Sequence, residues 1–496
     1  MEPHLRNGVG ASLDALAFDR TLETPIHRQI YSAIRSYILS RRLPPRAKLP
    51  ATRELAKQLG VGRNTVVAAY DQLMAEGLVE AHTGSCTRVA ELLAPPKRAG
   101  ARRAAPDCGG LSRRGALIAS LPQPHRTPGK ISLNPGAPET ETFPFAAWAR
   151  LLAGNARSLD DSVVGIHDFA GHPRFRKAIA NYLGAARGID CAPEQVIAVT
   201  GAQAALDLAA RILIDDGDWA WMEEPGYRGA RSALLGCGAR LAPLRVTRRG
   251  WMLNDAAAPA PRLIYVTPSC QWPFGAVMRM EERLQLLAIA ERCKAWILED
   301  DYDGEYRFRG QPVPALRGLD GADRVIYVGT FGKTLFPSLR LGFLVVPRQL
   351  AKAFGRALSV SGQFAPPLLQ VTVADFISEG LFATHLKRMR RLYAARQAAF
   401  VELCRQRLAP WLTVEENDSG MQVLARFIHP TDDCRFAEAA LRHGVDVQPV
   451  SIDYHCDEPQ HGLLLGYAAL NASQAEKAVA ALRATFLALQ REPSPV

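Results

Sequence analysis

The chain has 496 residues, a hydrophobic fraction of 48% and a formal net charge of +11. This length accommodates two or three domains, and the composition suits globular cores rather than a disordered or fibrous chain. No apolar run approaches the roughly 18 residues of a membrane span, the N-terminus has no signal-like apolar region, and the nine cysteines form no C-x-x-C pair. We therefore expect a cytoplasmic protein with reduced thiols.

The excess positive charge is concentrated at the beginning of the chain. Residues 1–128 contain 19 lysines and arginines against 10 aspartates and glutamates, whereas the rest of the chain is nearly balanced. A basic surface attracts polyanions, most often nucleic acid, although many basic segments are only solvated tails. The pattern of the predicted elements decides between these two interpretations.

Three helices and a hairpin are predicted within this basic region. The first helix has an apolar face at Ile30, Ile34, Tyr37 and Ile38. A second helix is predicted with Thr52 as its N-cap and with Leu55, Ala56 and Leu59 on its inner face. After the turn at Gly60 to Gly62, Asn64 or Thr65 opens a third helix whose inner face carries Val67, Tyr70, Leu73 and Met74. LVEAH and TRVAE then alternate like two strands joined at residues 83–85.

This pattern resembles the winged helix-turn-helix of the GntR family over residues 22–90. The resemblance rests on the motifs R-E-L-A, V-G-R-N-T-V and E-G-L-V-E. Gly62 and Cys86 depart from the usual serine and glycine. The resemblance implies that the DNA-binding residues are Thr52, Arg53, Arg63, Asn64 and Thr65, with His82 and Gly84 in the wing. The N-terminal end of a recognition helix lies in the major groove, where an arginine and an asparagine reach base edges and phosphates.

Residues 91–130 are rich in Pro, Gly, Ala and Arg and show little periodicity. This composition predicts a basic linker of mixed stiffness that adds non-specific phosphate contacts.

Short apolar runs separated by helical stretches follow from about residue 196 to residue 346. The predicted strands are VIAVT, WAWM, LIYVT, AWILE, VIYVG and LGFLVV. The alternation predicts an α/β, doubly wound sheet, followed by helices to about residue 408 and a smaller α+β part that contains GMQVLARF and GLLLGY.

Lys333, in GTFGKTLFPSLRLG, is the strongest candidate for a ligand-binding residue. Pyridoxal phosphate requires an amine for its aldehyde, donors for its phosphate and a carboxylate for its ring nitrogen. Thr330 and Arg340 flank the lysine, and the strand AWILED delivers Asp300 and Tyr302 at its carboxyl end, where open α/β sheets bind ligands.

Two further segments suit the same cofactor. VIAVTGAQAALDLAARIL reads as a strand, a tight turn and a helix, so backbone amides near Ala202 and Gln203 would point at an anion. Tyr227 follows an apolar segment and would stack on an aromatic ring, although a lone tyrosine more often only packs.

From about Ile131 to residue 490, these motifs resemble a fold-type-I aminotransferase domain. The resemblance makes Lys333 the Schiff-base lysine, Asp300 the pyridinium partner, Tyr302 the ring-oxygen partner and Tyr227 the stacking aromatic. The remaining cofactor-binding residues would hold the phosphate: Gly201, Ala202, Gln203, Thr330 and Arg340. No metal is implied.

A GntR-like module, a long linker and an aminotransferase-like domain together resemble the MocR subfamily of bacterial regulators. The resemblance implies a head-to-tail homodimer that binds double-stranded operator DNA and senses pyridoxal phosphate, or an amino compound that forms an aldimine with it. γ-Aminobutyrate, taurine, a B6 vitamer and a D-amino acid all remain open as effectors.

Two function classes remain at this stage. The chain is a pyridoxal-phosphate-dependent transcriptional regulator, or it is a working aminotransferase with an appended DNA-binding module. Related enzymes carry a substrate-carboxylate arginine where this sequence has Leu464, although Arg228 or Arg231 could substitute. TPSCQWPFG also places Cys270 and Phe274 where the family has His and Thr. We therefore favour the regulator over the enzyme and over a purely structural dimerisation domain.

Overall fold

The computed structural model describes residues 18–82, 86–91, 110–121, 129–158, 160–165, 168–247, 249–253, 258–310, 313–456 and 458–491. The chain divides into two compact units, Met1–Gly109 and Gly110–Val496. Among the described residues, no helix combines the length and apolar character needed to cross a membrane. No cysteine in the described part forms a disulfide.

The first unit is a three-helix module followed by a β-hairpin. Its elements are α1 (Ile26–Leu39), α2 (Thr52–Leu59), α3 (Arg63–Ala75), β1 (Val79–His82) and β2 (Cys86–Val89). The hairpin is antiparallel, with Val79 opposite Val89, and residues 46–49 add backbone hydrogen bonds to β2. The predicted three helices and two strands are all present.

The details of α2 and α3 differ from the predictions. Ala51, not Thr52, is the N-cap of α2, no side chain caps the helix, and Thr52 is its first helical residue. α3 begins at Arg63, one residue before the predicted start. Its fully buried residues include Val66 and Ala69, whereas Val67 and Met74 are only partly buried. The apolar residues of α3 therefore form two overlapping faces. The face that packs into the core includes the small residue Ala69, and the predicted residues Val67 and Met74 lie at its edge.

The second unit begins with a helix that the composition of the linker did not predict. α4 (Arg113–Ser120) is capped by the Ser112 hydroxyl, which accepts a hydrogen bond from Gly115 N at 3.0 Å. Ile118 packs beside Gly236 of a later helix. Residues 113–120 of the segment predicted as a linker therefore form a helix, because a serine N-cap followed by helix-forming residues stabilises a local helix. Residues 92–109 and 122–128 lie outside the described part.

Helices surround the large sheet of the second unit and continue to its C-terminus. They are α5 (Phe145–Arg157), α6 (Asp161–Val164), α7 (Pro173–Arg187), α8 (Ala202–Leu213), α9 (Arg228–Gly236), α10 (Met280–Cys293), α11 (Leu316–Leu319), α12 (Ala351–Ser361), α13 (Pro367–Ser378), α14 (Leu381–Leu408), α15 (Asp433–Arg442) and α16 (Ala472–Leu489).

The large sheet has eight strands in the order β4-β11-β10-β9-β8-β5-β6-β7. Their bounds are β4 (Val196–Val199), β5 (Trp219–Glu224), β6 (Arg240–Thr247), β7 (Gly250–Trp251), β8 (Leu263–Val266), β9 (Trp296–Asp300), β10 (Val325–Thr330) and β11 (Gly342–Val345). The central strands from β10 to β6 are parallel, whereas β11 is antiparallel to both of its neighbours. All six predicted strands are present; β6 and β7 were not predicted.

The C-terminal part is a four-stranded antiparallel sheet in the order β12-β13-β16-β15, covered by helices. Its strands are β12 (Leu412–Val414), β13 (Gln422–Phe427), β15 (Gln448–Pro449) and β16 (Gly462–Gly466), and a short parallel pair joins β14 (Val445–Asp446) to β3 (Ile131–Ser132). The central strands of the large sheet are almost wholly buried because helices cover both faces, as expected for parallel strands.

Candidate cofactor site and DNA interface

Two neighbouring parallel strands bring the main candidate residues to one edge of the large sheet. β9 ends at Asp300 and β10 ends at Thr330, and Asp300 pairs in register with Val328. Lys333 follows three residues after the end of β10. The register therefore places the carboxylate and the lysine at the same carboxyl-end edge, where parallel sheets form their ligand sites.

Asp300 has one engaged oxygen and one oxygen without a partner. Oδ2 accepts a hydrogen bond from the Tyr265 hydroxyl at 2.9 Å, and Oδ1 is buried with no hydrogen-bond partner among the described residues. Burial raises the pKa of Asp300 to about 6, against the opposing effects of Tyr265 and Lys333. A buried acceptor of this kind requires a donor, and a protonated ring nitrogen would supply one.

The Lys333 ammonium lies among aromatic rings. Its Nζ is 4.4 Å from the centre of the Tyr302 ring and 5.8 Å from that of Trp272. A Cβ at Gly136 would overlap this nitrogen, so the lysine end takes this position only beside a glycine. The Tyr306 hydroxyl donates to the Lys333 carbonyl at 3.1 Å and fixes the backbone beside it.

An anion cradle lies next to this group. α8 begins at Ala202 after Gly201, whose φ of +112° lies in a region that favours glycine. The Arg340 guanidinium lies about 4 Å from the position that a Cβ on Gly201 would take. The Thr330 hydroxyl accepts a hydrogen bond from Gly332 N at 3.2 Å, which leaves its proton available as a donor. A helix N-terminus, a guanidinium and a hydroxyl suit a phosphate.

Tyr227 and Gln203 close the other side of the cradle. The Gln203 side chain donates to the Gly229 carbonyl at 2.9 Å, so that side chain is already engaged and only its backbone amide remains for an anion. A Cβ at Gly229 would overlap both Gln203 and the Tyr227 ring, which lie in contact with it. Tyr227 contacts Trp272 edge-on at 5.9 Å, and Trp272 contacts Tyr302 in the same way.

The residues present thus fit a planar, phosphorylated pyridine aldehyde. All nine candidate cofactor residues lie in this one region of the second unit. Sequence reasoning missed three neighbours that complete it: Tyr265, Gly136 and Trp272. Tyr265 lies in the predicted strand LIYVT, and in-register pairing with Leu298 of β9 was the signal that could have found it. Gly136 is far away in sequence and gave no local signal.

The small-domain side of the site is apolar. Leu464 of β16 is fully buried in a cluster with Cys270, Trp272, Tyr302 and Leu424. It therefore lies beside the candidate cofactor site, on the face of β16 opposite to that of Leu463 and Leu465, which belong to the main core.

The two arginines considered as substitutes for the missing carboxylate ligand are already engaged. Arg228 Nε lies 3.2 Å from the Asp453 carboxylate. Arg231 donates to the carbonyls of Tyr454 and Ile452 at 2.9 and 3.3 Å. A substrate carboxylate would have to displace these partners to gain a guanidinium.

In the first unit, the candidate DNA-binding residues lie at the N-terminal ends of α2 and α3. Arg53, Arg63 and Asn64 are exposed, and Thr52 and Thr65 are partly exposed. The Tyr70 hydroxyl of α3 donates to the Pro50 carbonyl at 2.9 Å, which fixes the entry of α2 relative to α3. Two exposed helix N-termini with basic and amide side chains suit phosphates and base edges.

The wing residues are described only in part. His82 is the last residue of β1 and carries the hairpin toward its tip. Gly84 lies outside the described residues, as does the rest of the turn at residues 83–85.

Two family models match the chain. The model "Bacterial regulatory proteins, gntR family" matches residues 26–89, and "Aminotransferase class I and II" matches residues 128–482. Among solved structures, the α-aminoadipate aminotransferase LysN from Thermus thermophilus, in complex with N-(5'-phosphopyridoxyl)-L-leucine, is 26% identical. The match covers 73% of this chain and 93% of the LysN chain, with a TM-score of 0.68.

Two curated transcriptional regulators are similar to this chain. The probable rhizopine catabolism regulatory protein MocR of Rhizobium meliloti is 54% identical over 477 residues, or 96% of each chain. The pyridoxine biosynthesis transcriptional regulator PdxR of Corynebacterium glutamicum is 31% identical over 76% of this chain and 78% of its own.

Fold and sequence together define a class: a GntR-type helix-turn-helix joined to an aminotransferase-fold domain of fold type I. The chain belongs to the MocR subfamily of GntR-family transcriptional regulators. The resemblance predicted from the motifs is confirmed, and the alternative of an aminotransferase with an appended DNA-binding module is not favoured.

Proposed function

We propose that this regulator holds pyridoxal phosphate at Lys333 and that the cofactor, or an amino compound that reacts with it, changes the affinity of the protein for operator DNA. The proposal rests above all on Asp300, whose buried and unpartnered Oδ1 lies at the same sheet edge as the Lys333 amine. Such a carboxylate oxygen is costly unless a ligand supplies a donor.

Each neighbouring residue has a distinct part in holding the cofactor. Asp300 would accept a hydrogen bond from the ring nitrogen, and Tyr265 keeps its other oxygen in place. Tyr302 would serve the ring oxygen, and Tyr227 would pack against the ring. The phosphate would be held by Arg340, the Thr330 hydroxyl and the backbone at Gly201, Ala202 and Gln203. Pyridoxal phosphate, when bound, supplies an electrophilic carbon that reacts reversibly with primary amines.

The DNA-binding residues proposed for the first unit are Thr52, Arg53, Arg63, Asn64 and Thr65, with His82 and Gly84 in the wing. We further propose a cytoplasmic homodimer, because operators of helix-turn-helix proteins present two half-sites that match a twofold axis. Effector binding needs to favour one arrangement of the dimer by only about 1–3 kcal/mol to change DNA affinity 5- to 150-fold.

Reciprocal linkage tests this function. Operator DNA is titrated with protein in the presence and absence of pyridoxal phosphate, and the cofactor is then titrated in the presence and absence of operator. The same coupling factor is expected in both directions, and amino-group transfer to common amino acids should be slow.

Lys333→Ala serves as the uncoupled variant and should show one operator affinity under both conditions. Operator affinity that is identical in all forms, together with enzyme-like turnover on a common amino acid, would falsify the regulator proposal.

A further inference from the structure

Asp303 is a buried carboxylate beside the cofactor site that has no part in holding the cofactor. Its side chain is 1% exposed, and no hydrogen bond of good geometry reaches either carboxylate oxygen from the described residues. Burial raises the pKa of Asp303, while the Lys333 ammonium and the backbone amide of Met421 oppose the increase. Native proteins rarely leave a buried carboxylate without hydrogen bonds of good geometry.

A second buried acceptor lies in the same region. Gln422 donates its amide to the Tyr302 hydroxyl at 3.4 Å, and its Oε1 is buried without a partner among the described residues. Gln422 belongs to β13, whose neighbour β16 carries Leu464. The unsatisfied atoms therefore come from two elements that are far apart in sequence.

Contacts connect Asp303 to the surroundings of Lys333. A Cβ on Gly420 would stand 3.1 Å from Cys270 Sγ and 3.4 Å from Asp303 Oδ2, so both groups border the same point. Cys270 Sγ in turn accepts a hydrogen bond from the Tyr302 hydroxyl at 3.6 Å. The Tyr302 ring lies 4.4 Å from Lys333 Nζ. We call the region bordered by Lys333, Asp303, Gln422 and Leu464 the acceptor pocket.

Three arginines of this domain already have partners. Arg187 forms an ion pair with Asp301 at 2.5 Å, and Arg228 pairs with Asp453. Arg231 donates to two backbone carbonyls. A carboxylate brought into the acceptor pocket would face Asp303, which is unfavourable for two like charges, and these three guanidiniums would have to leave their partners to bind it.

We infer that the acceptor pocket selects effectors that carry a primary amine and, a few bonds away, further hydrogen-bond donors, and that it rejects those with a carboxylate. This inference rests on the proposed function and assigns the chemical class of the effector. Asp303 and Gln422 accept hydrogen bonds from the distal hydroxyl or amino group. Leu464 provides an apolar wall where a carboxylate ligand would need a cation.

Four small amines share the same carbon skeleton and differ only in the group at the far end from the amine: putrescine, aminobutanol, butylamine and γ-aminobutyrate. Comparing them measures the contribution of that distal group alone. Each is titrated into the protein loaded with pyridoxal phosphate, and binding is followed by calorimetry and by the shift in the thermal midpoint. Putrescine and aminobutanol should bind at least about tenfold more tightly than γ-aminobutyrate, since one hydrogen bond to a charged group contributes about 1.5–3 kcal/mol. The affinity of butylamine should lie between that of these two amines and that of γ-aminobutyrate.

Asp303→Asn retains the shape of the side chain and removes its charge. The variant should bind putrescine no better than butylamine, and its discrimination against γ-aminobutyrate should fall. Asp418→Asn is the matched control, because Asp418 is an exposed aspartate in the loop next to Gly420. The control should keep the ranking of the unmodified protein.

Leu464→Arg provides a test in the opposite direction and remains available if Asp303→Asn does not fold. It should improve the binding of γ-aminobutyrate relative to putrescine, whereas Leu284→Arg, at an exposed leucine of α10, should leave the ranking unchanged. The inference is overturned if γ-aminobutyrate binds the unmodified protein as tightly as putrescine. It is equally overturned if the ranking survives both Asp303→Asn and Leu464→Arg.

The proposed function fails on a different observation. If the unmodified protein forms no borohydride-reducible link between the cofactor and Lys333, pyridoxal phosphate is not held there. A protein that holds the cofactor but prefers γ-aminobutyrate contradicts only the effector class.

Discussion

Arg53, Arg63 and Asn64 are exposed at the starts of two consecutive short helices, whereas Asp300 and Tyr302 are buried at the end of a central strand. In the first unit, the functional groups need only be presented on a scaffold that local sequence defines. In the second, side chains from β8 and from the end of β9 meet where both are buried, beside half-buried groups from β10 and α8. Removing a surface arginine therefore removes one contact, whereas changing a buried carboxylate alters the electrostatics of the whole pocket.

The largest effect is expected from Lys333→Ala. The amine that lies at the sheet edge beside Asp300 would be removed, so the variant should lose all covalently held cofactor. Absorption spectra before and after borohydride reduction, with mass spectrometry of the reduced protein, measure this loss. Lys352→Ala, at an exposed position of α12, is the control and should retain the cofactor. A chromophore that persists unchanged in Lys333→Ala would show that another residue carries the cofactor.

Arg340→Ala should preserve covalent attachment but weaken cofactor binding. A charge-assisted phosphate contact contributes about 1.5–3 kcal/mol, so the dissociation constant should rise roughly 10- to 150-fold. Arg340→Lys should restore part of this affinity, because it keeps the charge without the planar fork. Equilibrium dialysis measures the change, with exposed Arg348→Ala as control. Equal affinity for Arg340→Ala and the control would remove Arg340 from the phosphate site.

Asp300→Asn should make the cofactor-free protein more stable at neutral pH while weakening cofactor binding. Because burial raises the folded-state pKa of Asp300 from 3.8 to about 6, the folded protein binds more protons than the unfolded chain between these values. The stability of the unmodified protein should thus fall as pH rises from about 4 to 6, and the variant lacks this contribution. Above pH 6 the difference should be about 1–3 kcal/mol, an order-of-magnitude figure.

Urea unfolding of both cofactor-free proteins across this pH range measures the difference. The gap between the two proteins should close below about pH 4, where Asp300 is protonated in both states. A variant that is less stable than the unmodified protein at pH 8 would contradict a carboxylate held at a desolvation cost.

The smallest effects are expected on the DNA-binding side. Arg63→Ala should cost about 1–3 kcal/mol on specific operator DNA and less on scrambled DNA, because only base contacts discriminate sequence. Arg102→Ala and Arg103→Ala, in the predicted linker, should weaken both complexes alike and reduce the salt dependence by about one unit each. Gel-shift titrations at several salt concentrations separate the two outcomes. Equal losses on both DNAs for Arg63→Ala would assign it to phosphate contact alone.

The sequence predicted elements best where local pattern and tertiary environment agree. Six strands of the large sheet followed from short apolar runs, because strands buried on both faces are apolar along their whole length, and this holds for the antiparallel β11 as well as for the parallel strands. The start of α2 was misassigned because Thr52 is a good N-cap in isolation, yet the backbone of Ala51 takes that position. α4 was missed because the overall composition of the segment conceals a capped helix of eight residues within it.

The amino-acid sequence by itself determined the family, the order of the modules and the residues proposed for each candidate site, because the motifs that carry them are local. Tertiary structure decided which oxygens remain without partners. Tyr265 engages one oxygen of Asp300, and Asp303 is buried beside Cys270 across Gly420. The tertiary structure also pairs Arg228 with Asp453 and Arg231 with the backbone carbonyl of Tyr454, so neither guanidinium is free for a substrate carboxylate. These facts depend on strand register and on contacts between segments more than a hundred residues apart, which no local pattern records.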